Sequence, residues 1–464
     1  MQRILTLLLL AIIFQNAIAQ KEFDKWIFGK GTGLDFTSGS PVVMNTTSNG
    51  WDNSASIADS AGNLLFASDG AFIYDRNGNV MPNGTGLMGD TSGGATATIV
   101  KKPGSNNLYY VFTNPGYYNT PGLRYTVVNM NLNGGLGDVD TANKNVLLFT
   151  PYTEKIVPIL HENRRDIWIL VHEWNSNNYR AYLLTAAGVQ NSFVTSSTGT
   201  VVSGNADNAL GELTVNKAGN MVACAILNAG IIDISNFDNS TGAVSNSITI
   251  TDIYSVIGLE FSPDGSKLYA SHLYAADLTQ YDVSTFTQSA ISGSAQSVGS
   301  IGATYSNYMG GYLMLGPDGK IYVTVTFSHN IGVVDSPNLA GIACQFNASE
   351  IDLGQHTVAA GLVDKIVVSS PKQAASVTTV SDNANVSVAA HPNPFSNSTT
   401  IALSGVTSTW TFELFDVTGA LKSSIKGIEA KNFEFYKNEL AAGMYFYHIV
   451  IAGKPVFNGK LIIQ

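Results

Sequence analysis

Alternating apolar and polar residues around a tight turn form the pattern that recurs along most of the chain. Leu259 and Phe261 alternate with polar neighbours, as on a half-buried strand. Residues 263–266, Pro-Asp-Gly-Ser, predict a turn, because proline presets φ and glycine accepts a positive φ. Residues 268–270 then predict the returning strand and residues 278–282 a third. The pattern is that of a β-meander, the unit of a propeller blade.

The meander recurs with variations, and successive copies lie 44 to 59 residues apart. The first apolar residue after each turn marks the six copies: Leu64, Leu108, Ile167, Met221, Leu268 and Ile321. This period predicts an all-β fold, a β-propeller in which each sheet stacks on the next and the array closes into a ring. We expect a seventh blade built from both ends of the domain, with residues 351–368 pairing with an early segment such as 26–28 or 34–36. That pairing would remove an open sheet edge; six blades remain the alternative.

The N-terminus predicts a secretory signal peptide over residues 1–19. Arg3 supplies a positive start, residues 4–14 are apolar, and residues 17–19, Ala-Ile-Ala, form a cleavage signal. No later stretch has 18 consecutive apolar residues, so no transmembrane helix is predicted. Charged residues make up only 12% of the chain, and the net charge is −10. Without clustered lysine and arginine, nucleic-acid binding is excluded.

Two cysteines and no metal-binding motif limit the chemistry. Cys224 and Cys344 fall in non-adjacent blades, so we expect two buried free thiols rather than a disulfide. No C-x-x-C pair, calcium loop or dinucleotide fingerprint occurs, and neither a metal nor another cofactor is predicted.

Two pairs of residues are the candidates for catalysis. His161 and His172 are each followed by glutamate, but neither completes an H-E-x-x-H motif. The two histidines lie at opposite ends of the strands of one hairpin, so they could approach each other across it. We favour a structural role, because two histidines fall short of a zinc site. Glu212 and Glu260 occupy equivalent places one strand ahead of their turns, where they would face the central channel. They could form a catalytic pair or simply line a hydrated acidic channel.

The body resembles a propeller-type repeat region of Bacteroidota surface proteins. The resemblance spans roughly residues 23–340. Six motifs carry it: Trp26-x-Phe-Gly-x-x-x-Gly-Leu-Asp-Phe36, Ile57-x-Asp-x-x-Gly-Asn-Leu-Leu-Phe66, Val80-Met-Pro-Asn-Gly84, Asn133-Gly-Gly-Leu-Gly-Asp138, Asn145-Val-Leu-Leu-Phe-Thr150 and Ile257-Gly-Leu-Glu-Phe-Ser-Pro263. It implies the propeller fold, and it brings no catalytic residues with it. We therefore place the propeller at residues 20–368.

Beyond a small, polar and aperiodic stretch at 369–385, which predicts a linker, short alternating strands restart over 386–464. They predict a small immunoglobulin-like β-sandwich. This segment closely resembles the type A C-terminal sorting domain of type IX secretion. Its landmarks are Pro392, Asn393, Pro394, Phe395, Asp416, Gly419, Gly443, Tyr445 and Lys460.

The resemblance implies export across the outer membrane of a Bacteroidota bacterium, to the cell surface or the medium, with the type IX machinery as partner. It also implies cleavage near the linker, and the terminal strand is expected to carry recognition by adding to a partner's sheet. For the body, we favour a non-enzymatic module that binds a surface glycan or protein. The alternatives are a carbohydrate-active hydrolase or lyase that uses channel-mouth carboxylates, and a structural spacer.

Overall fold

The computed structural model describes twelve stretches of the chain, separated by gaps: residues 21–49, 54–91, 96–116, 122–251, 255–302, 310–358, 361–363, 387–404, 409–416, 421–438, 440–451 and 454–463. The predicted signal peptide, the predicted linker and Gly419 lie outside these described residues. The chain divides into two compact units, Met1–Pro371 and Lys372–Gln464. The domain boundaries given above stay predictions.

Seven antiparallel sheets make up the described part of the first unit, and strands that are adjacent in a sheet mostly follow one another in the chain. Sheet 1 contains β1 (Lys25–Phe28), β2 (Lys30–Asp35) and β3 (Val42–Asn49); sheet 2 contains β4 (Ala55–Ala58), β5 (Leu64–Ser68) and β6 (Ile73–Asp75). Sheet 3 contains β7 (Ala97–Lys101), β8 (Leu108–Thr113), β9 (Leu123–Asn129), β10 (Asp138–Val139) and β11 (Val146–Phe149), the last two pairing with β9. Sheet 4 contains β12 (Tyr152–Leu160), β13 (Ile167–Glu173), β14 (Ser176–Thr185) and β15 (Gly188–Val202).

The last three sheets of this unit have four strands each. Sheet 5 contains β16 (Leu213–Val215), β17 (Met221–Ile226), β18 (Ile231–Asp238) and β19 (Ala243–Thr251). Sheet 6 contains β20 (Val256–Phe261), β21 (Lys267–His272), β22 (Asp277–Asp282) and β23 (Gln296–Ser300). Sheet 7 contains β24 (Gly310–Leu315), β25 (Ile321–Val325), β26 (Asn330–Val334) and β27 (Phe346–Asp352). One short helix, α1 (Gln288–Gly293), precedes β23, and 3-10 turns occur at Asn133–Gly135, Thr141–Asn143, Ala206–Ala209 and Gly341–Cys344.

Contacts between neighbouring sheets, most of them apolar, close the seven sheets into a ring. Separate clusters of buried side chains join sheets 2 and 3, 3 and 4, 4 and 5, 5 and 6, and 6 and 7. Another joins the last sheet to the first: the rings of Trp26 and Phe36 lie 5.2 and 5.3 Å from that of Tyr322. Between sheets 1 and 2, the hydroxyl of Ser56 donates to the carbonyl of Lys25. The structure therefore confirms the all-β propeller fold, with seven sheets.

The first sheet differs in part from its predicted construction. Residues 351–352 belong to β27 and pair with β26, so the expectation that they would pair with an early strand is wrong. Within the described residues, sheet 1 is built from the N-terminal strands alone. The two ends of the unit do meet, because Ser54 and Val363 form a parallel bridge and the Ser54 N–H donates to the Leu362 carbonyl. The pairing of residues 364–368 lies outside the described part and stays a prediction.

The second unit is a two-sheet β-sandwich. Its strands are β28 (Ser387–His391), β29 (Ser398–Ser404), β30 (Trp410–Asp416), β31 (Leu421–Ile428), β32 (Asn432–Tyr436), β33 (Gly443–Ile451) and β34 (Lys454–Ile463). One sheet has the order β28-β29-β32 and the other β31-β30-β33-β34. Alternate residues of both sheets face a shared core, in which Phe412 lies 4.9 Å from Phe435 and 5.4 Å from Tyr447, measured between ring centroids. This agrees with the predicted immunoglobulin-like sandwich.

Cys224 and Cys344 are both buried and unbridged. Burial, the largest cause, raises the pKa of Cys224 to about 11, so the thiol stays protonated and unreactive. None of the described helices has the length and apolar character needed to cross a membrane.

Candidate functional site

The two candidate glutamates accept backbone hydrogen bonds from neighbouring sheets. One carboxylate oxygen of Glu212, which precedes β16, accepts from the N–H groups of Leu259 at 2.8 Å and Leu313 at 3.4 Å, which lie in sheets 6 and 7. Glu260 is 1% exposed, and its two oxygens accept from the N–H groups of Phe261 at 2.9 Å and Leu315 at 3.1 Å. Carboxylates placed this way hold the inner strands of three sheets together, which favours a structural role over acid–base chemistry.

The two candidate histidines do not approach each other. His161 directly follows Leu160, which pairs with Ile167, whereas His172 lies five residues further along β13. That separation corresponds to about 17 Å at the usual rise per strand residue. The hypothesis that they meet across the hairpin is therefore wrong, and no group of three His, Cys, Asp or Glu in the described part could hold a metal ion.

A buried polar network between sheets 4 and 5 was not predicted from the sequence. The Lys155 ammonium is fully buried and donates to the carbonyl groups of Ala209 and Gly211 at 3.1 and 3.3 Å. Burial is the largest cause that lowers the pKa of Lys155, to about 8. Nearby, the ring of His172 stacks edge-on against Tyr179 at 4.6 Å. Nothing in the local sequence marks Lys155, because an isolated lysine on a strand is usually exposed.

His172 makes the stability of the propeller sensitive to acid. Burial first, and then the charge of Lys155, lower the pKa of His172 to about 3 from its ordinary 6.5. The unfolded chain therefore binds this proton between about pH 6.5 and 3 while the folded chain does not. Stability is fully present above pH 6.5 and falls with decreasing pH through that window, by up to about 1.4 kcal/mol per pH unit from this residue.

We expect His172→Gln to reduce the slope of unfolding free energy against pH by up to about 1.4 kcal/mol per pH unit, the contribution of one proton. Urea unfolding between pH 6.5 and 4 measures this slope. His161→Gln is the matched control, because His161 lies on the same hairpin and is half-exposed. Equal slopes for His172→Gln and the wild type would contradict the assignment.

The connections between second and third strands lie on one face of the ring, which we call the loop face. In an up-and-down sheet, the connection from second to third strand lies on the same side as the connection to the next sheet. Contacts between the two kinds of connection agree: the Leu273 N–H donates to the Ser255 carbonyl, and the Ala229 N–H donates to the Asn208 side chain, both at 2.8 Å. The loop face is therefore formed by the second-to-third connections and the sheet-to-sheet connections together.

Three aromatic side chains project from second-to-third connections of the loop face. Phe72 is 38% exposed in sheet 2, Tyr274 is 49% exposed in sheet 6, and Phe327 is 41% exposed in sheet 7. Sheets 6 and 7 are neighbours, so Tyr274 and Phe327 belong to adjacent loops. The large exposed residues of third-to-fourth connections, on the opposite face, are aliphatic: Leu132, Leu339 and Ile342. These three aromatics could not be predicted from the sequence, because their exposure depends on the fold.

Phe327 also adopts an unusual backbone conformation. Its φ is 58°, in the left-handed region where a bulky residue costs roughly 1–2 kcal/mol. Glycine would fill this turn position without that cost. A strained aromatic on an exposed loop is more consistent with a contact role than with a role in packing.

A cavity of about 290 Å³ lies between sheets 1 and 2. Ile27, Met44 and Leu64 contribute apolar walls. Two of its polar groups already have partners within the protein: the Tyr74 hydroxyl donates to Asp69, and Arg76 donates to the Gly135 carbonyl. The cavity is at the small end of the range for ligand pockets, and the loop face remains the stronger candidate.

In the second unit, the predicted landmarks around β34 come together. The Asn393 side chain bonds to the backbone of Lys460 and Ile462, and Phe395 is buried in the core. Tyr445 pairs with Asp416 across β33 and β30, and Gly443 begins β33. Asp416 forms an ion pair with Lys422 at 2.9 Å, which raises the pKa of Lys422. Pro392 and Pro394 flank Asn393.

Residues 389–464 match the family described as "Secretion system C-terminal sorting domain". This match covers the β-sandwich that carries the landmarks. The chain ends in a type IX sorting domain. The sorting domain directs the protein out of a Bacteroidota cell, to the surface or the surrounding medium, and makes the type IX machinery its partner.

A search of curated proteins found no match to the chain. Among solved structures, the chain is similar to a functionally unknown protein from Desulfotomaculum acetoxidans, with 13% identity, 74% of this chain and 100% of that chain covered, and a TM-score of 0.44. It is also similar to a putative 6-phosphogluconolactonase from Bacteroides fragilis, with 11% identity, 94% and 98% covered, and a TM-score of 0.38. A third similar structure is Hsv2 from Kluyveromyces lactis, with 12% identity, 68% and 90% covered, and a TM-score of 0.38. At this level of similarity, these structures say nothing about the activity of this chain.

Proposed function

We propose that the propeller is a non-enzymatic binding module that presents its loop face to a surface glycan or protein. The observation that carries this proposal is the set of three exposed aromatics on that face, Phe72, Tyr274 and Phe327. Aromatic side chains supply large contact area at little entropic cost and dominate the energetics of binding surfaces. The hydrogen bonds that Glu212 and Glu260 accept from backbone N–H groups give the hydrolase alternative no support.

The strain at Phe327 also supports a contact role. A protein that acts only as a structural spacer does not need a bulky residue at a φ of 58°, because glycine at this position would remove the backbone strain. A residue that contacts a ligand explains why the strain is kept.

The test is a binding screen of the exported protein against a glycan array and an array of outer-membrane proteins. We expect at least one ligand, and we expect the triple variant Phe72→Ser, Tyr274→Ser, Phe327→Ser to weaken its binding at least about 100-fold, the loss typical of removing binding hot spots. The matched control is the triple variant Leu132→Ser, Leu339→Ser, Ile342→Ser, which removes exposed apolar residues from the opposite face and should bind like the wild type.

Phe327→Gly separates binding from folding. It should weaken binding while keeping the unfolding free energy within about 1 kcal/mol of the wild type, because relief of the φ strain offsets the lost packing. The proposal is contradicted if binding is unchanged in the triple variant of Phe72, Tyr274 and Phe327 but lost in the triple variant of Leu132, Leu339 and Ile342. It is also contradicted if neither array contains a ligand. Turnover of an arrayed glycan would favour the hydrolase instead.

A further inference from the structure

β34 forms an outer edge of the larger sheet of the sorting domain, and such an edge can pair with a strand of another molecule. β34 pairs with β33 on one side only and is the end strand of its sheet. On an antiparallel end strand, alternate residues point their N–H and C=O groups outward, where they can pair with a strand of another molecule. Lys460 and Ile462 are such residues, as their outward hydrogen bonds show.

The side chain of Asn393 occupies this edge as a residue of a neighbouring strand would. Its amide nitrogen donates to the Lys460 carbonyl at 2.7 Å, and its amide oxygen accepts from the Ile462 N–H at 2.8 Å. A side-chain amide carries the same donor and acceptor as a peptide unit, so Asn393 can replace one. The Phe395 N–H adds a bond to the Ile462 carbonyl at 3.0 Å, and Phe395 forms a parallel bridge with Ile463.

Phe395 anchors this segment in the domain. Its side chain is 2% exposed and packs in the same core as Leu461 and Ile463. Its ring centroid lies 6.4 Å from that of Phe435 in the opposite sheet. Burying a phenylalanine contributes about 1.5–3 kcal/mol, which is enough to hold a short segment against a strand edge.

The other half of β34 is less suited to pairing. Pro455 has no N–H to donate to a neighbouring strand, and a register shift interrupts the ladder between Ile449 and Val450. Proline and bulges are devices by which sheet proteins protect their edges. The part of β34 that is regular and apolar, residues 461–463, is thus the part that the Asn393 segment covers.

We propose that residues 392–395 form an edge clip that keeps a second copy of this chain from pairing with β34. Two identical edges can pair antiparallel about a two-fold axis, so the competing partner is the chain itself. The clip keeps the protein monomeric as it is exported. It also means that recognition by strand addition, which the sequence suggested for β34, requires the clip to open first.

The test uses the full mature chain in sedimentation velocity over a range of concentrations. We expect a monomeric wild type and, for Asn393→Ala, a dimer with a dissociation constant at least about tenfold lower than that of the wild type. Asn397→Ala is the matched control, because Asn397 is an exposed asparagine four residues away. It should stay monomeric.

A second substitution shows where the dimer forms. Adding Ile462→Pro to Asn393→Ala removes the outward N–H that a second strand would need, and should restore the monomer. If Asn393→Ala fails to fold, Asn393→Asp is used instead, since it keeps the acceptor for Ile462 and loses the donor to Lys460. A folded Asn393 variant that is as monomeric as the wild type overturns the proposal, and so does a dimer that persists after Ile462→Pro.

Discussion

Replacing Gly258 by valine is expected to cost the propeller about 4 kcal/mol or more of unfolding free energy, a loss that only a few mechanisms produce. Gly258 lies on the inner strand of sheet 6, where it faces the inner strand of sheet 7. A Cβ at this position would lie 2.5 Å from the Gly311 carbonyl oxygen and 2.6 Å from the Ser271 hydroxyl. Backbone cannot move aside as a flexible side chain can, so the two sheets would have to separate.

The Ser271 hydroxyl shows why this approach is so close. It accepts from the Gly258 N–H at 3.2 Å and donates to the Gly311 carbonyl, so one side chain joins two inner strands. Any side chain at position 258 displaces this bridge and leaves buried polar groups without partners, at about 1–3 kcal/mol each. Gly258→Ala should therefore already cost about 1–3 kcal/mol, and the valine more.

Urea unfolding of the mature chain, followed by tryptophan fluorescence, measures the effect. Gly293→Ala is the matched control, because a Cβ there meets nothing within 4 Å and the residue is the last of helix α1. It should leave stability unchanged or raise it by up to about 1 kcal/mol. A Gly258→Val protein as stable as this control would mean that the inner strands are not in contact there.

Much of the fold was predictable because turn chemistry is local. Pro263 and Gly265 specify their turn without help from distant residues, and the six turns of this kind correspond to sheets 2 to 7. Sheet 1 was predicted only in part, as an early strand at 26–28 or 34–36, because Gly29 and Gly31, at φ of 56° and 76°, make its first turn without a proline or aspartate.

The roles of single side chains were less predictable, because they depend on how strands of different sheets are aligned. The sequence placed Glu212 and Glu260 beside the channel but could not show that backbone N–H groups of the next sheets would meet their carboxylates. The same limit applies to Asn393, whose partners Lys460 and Ile462 lie 67 and 69 residues further along the chain. Motif similarity identified the sorting domain, and only the structure shows which backbone groups Asn393 of its motif contacts.

The second large effect concerns export. Deleting residues 440–464 removes β33 and β34, half of the larger sheet of the sorting domain, together with core residues such as Tyr447 and Leu461. The remaining strands can no longer bury their apolar face, so the domain should not fold. Because the sorting domain is the part that the type IX machinery recognises, export should fall by at least about 100-fold, the factor that corresponds to about 2.8 kcal/mol of lost recognition.

The measurement that tests the account most directly is the location of this truncated protein in a Bacteroidota cell with type IX secretion. The full chain and the propeller variant Gly293→Ala, both with an intact sorting domain, serve as controls. Circular dichroism of the truncated protein, purified from the periplasm, checks that its propeller keeps its β-structure. We predict that the truncated protein accumulates in the periplasm while both controls reach the surface or the medium. Delivery of the truncated protein to the surface at the level of the full chain would contradict the claim that the final β-sandwich carries the propeller out of the cell.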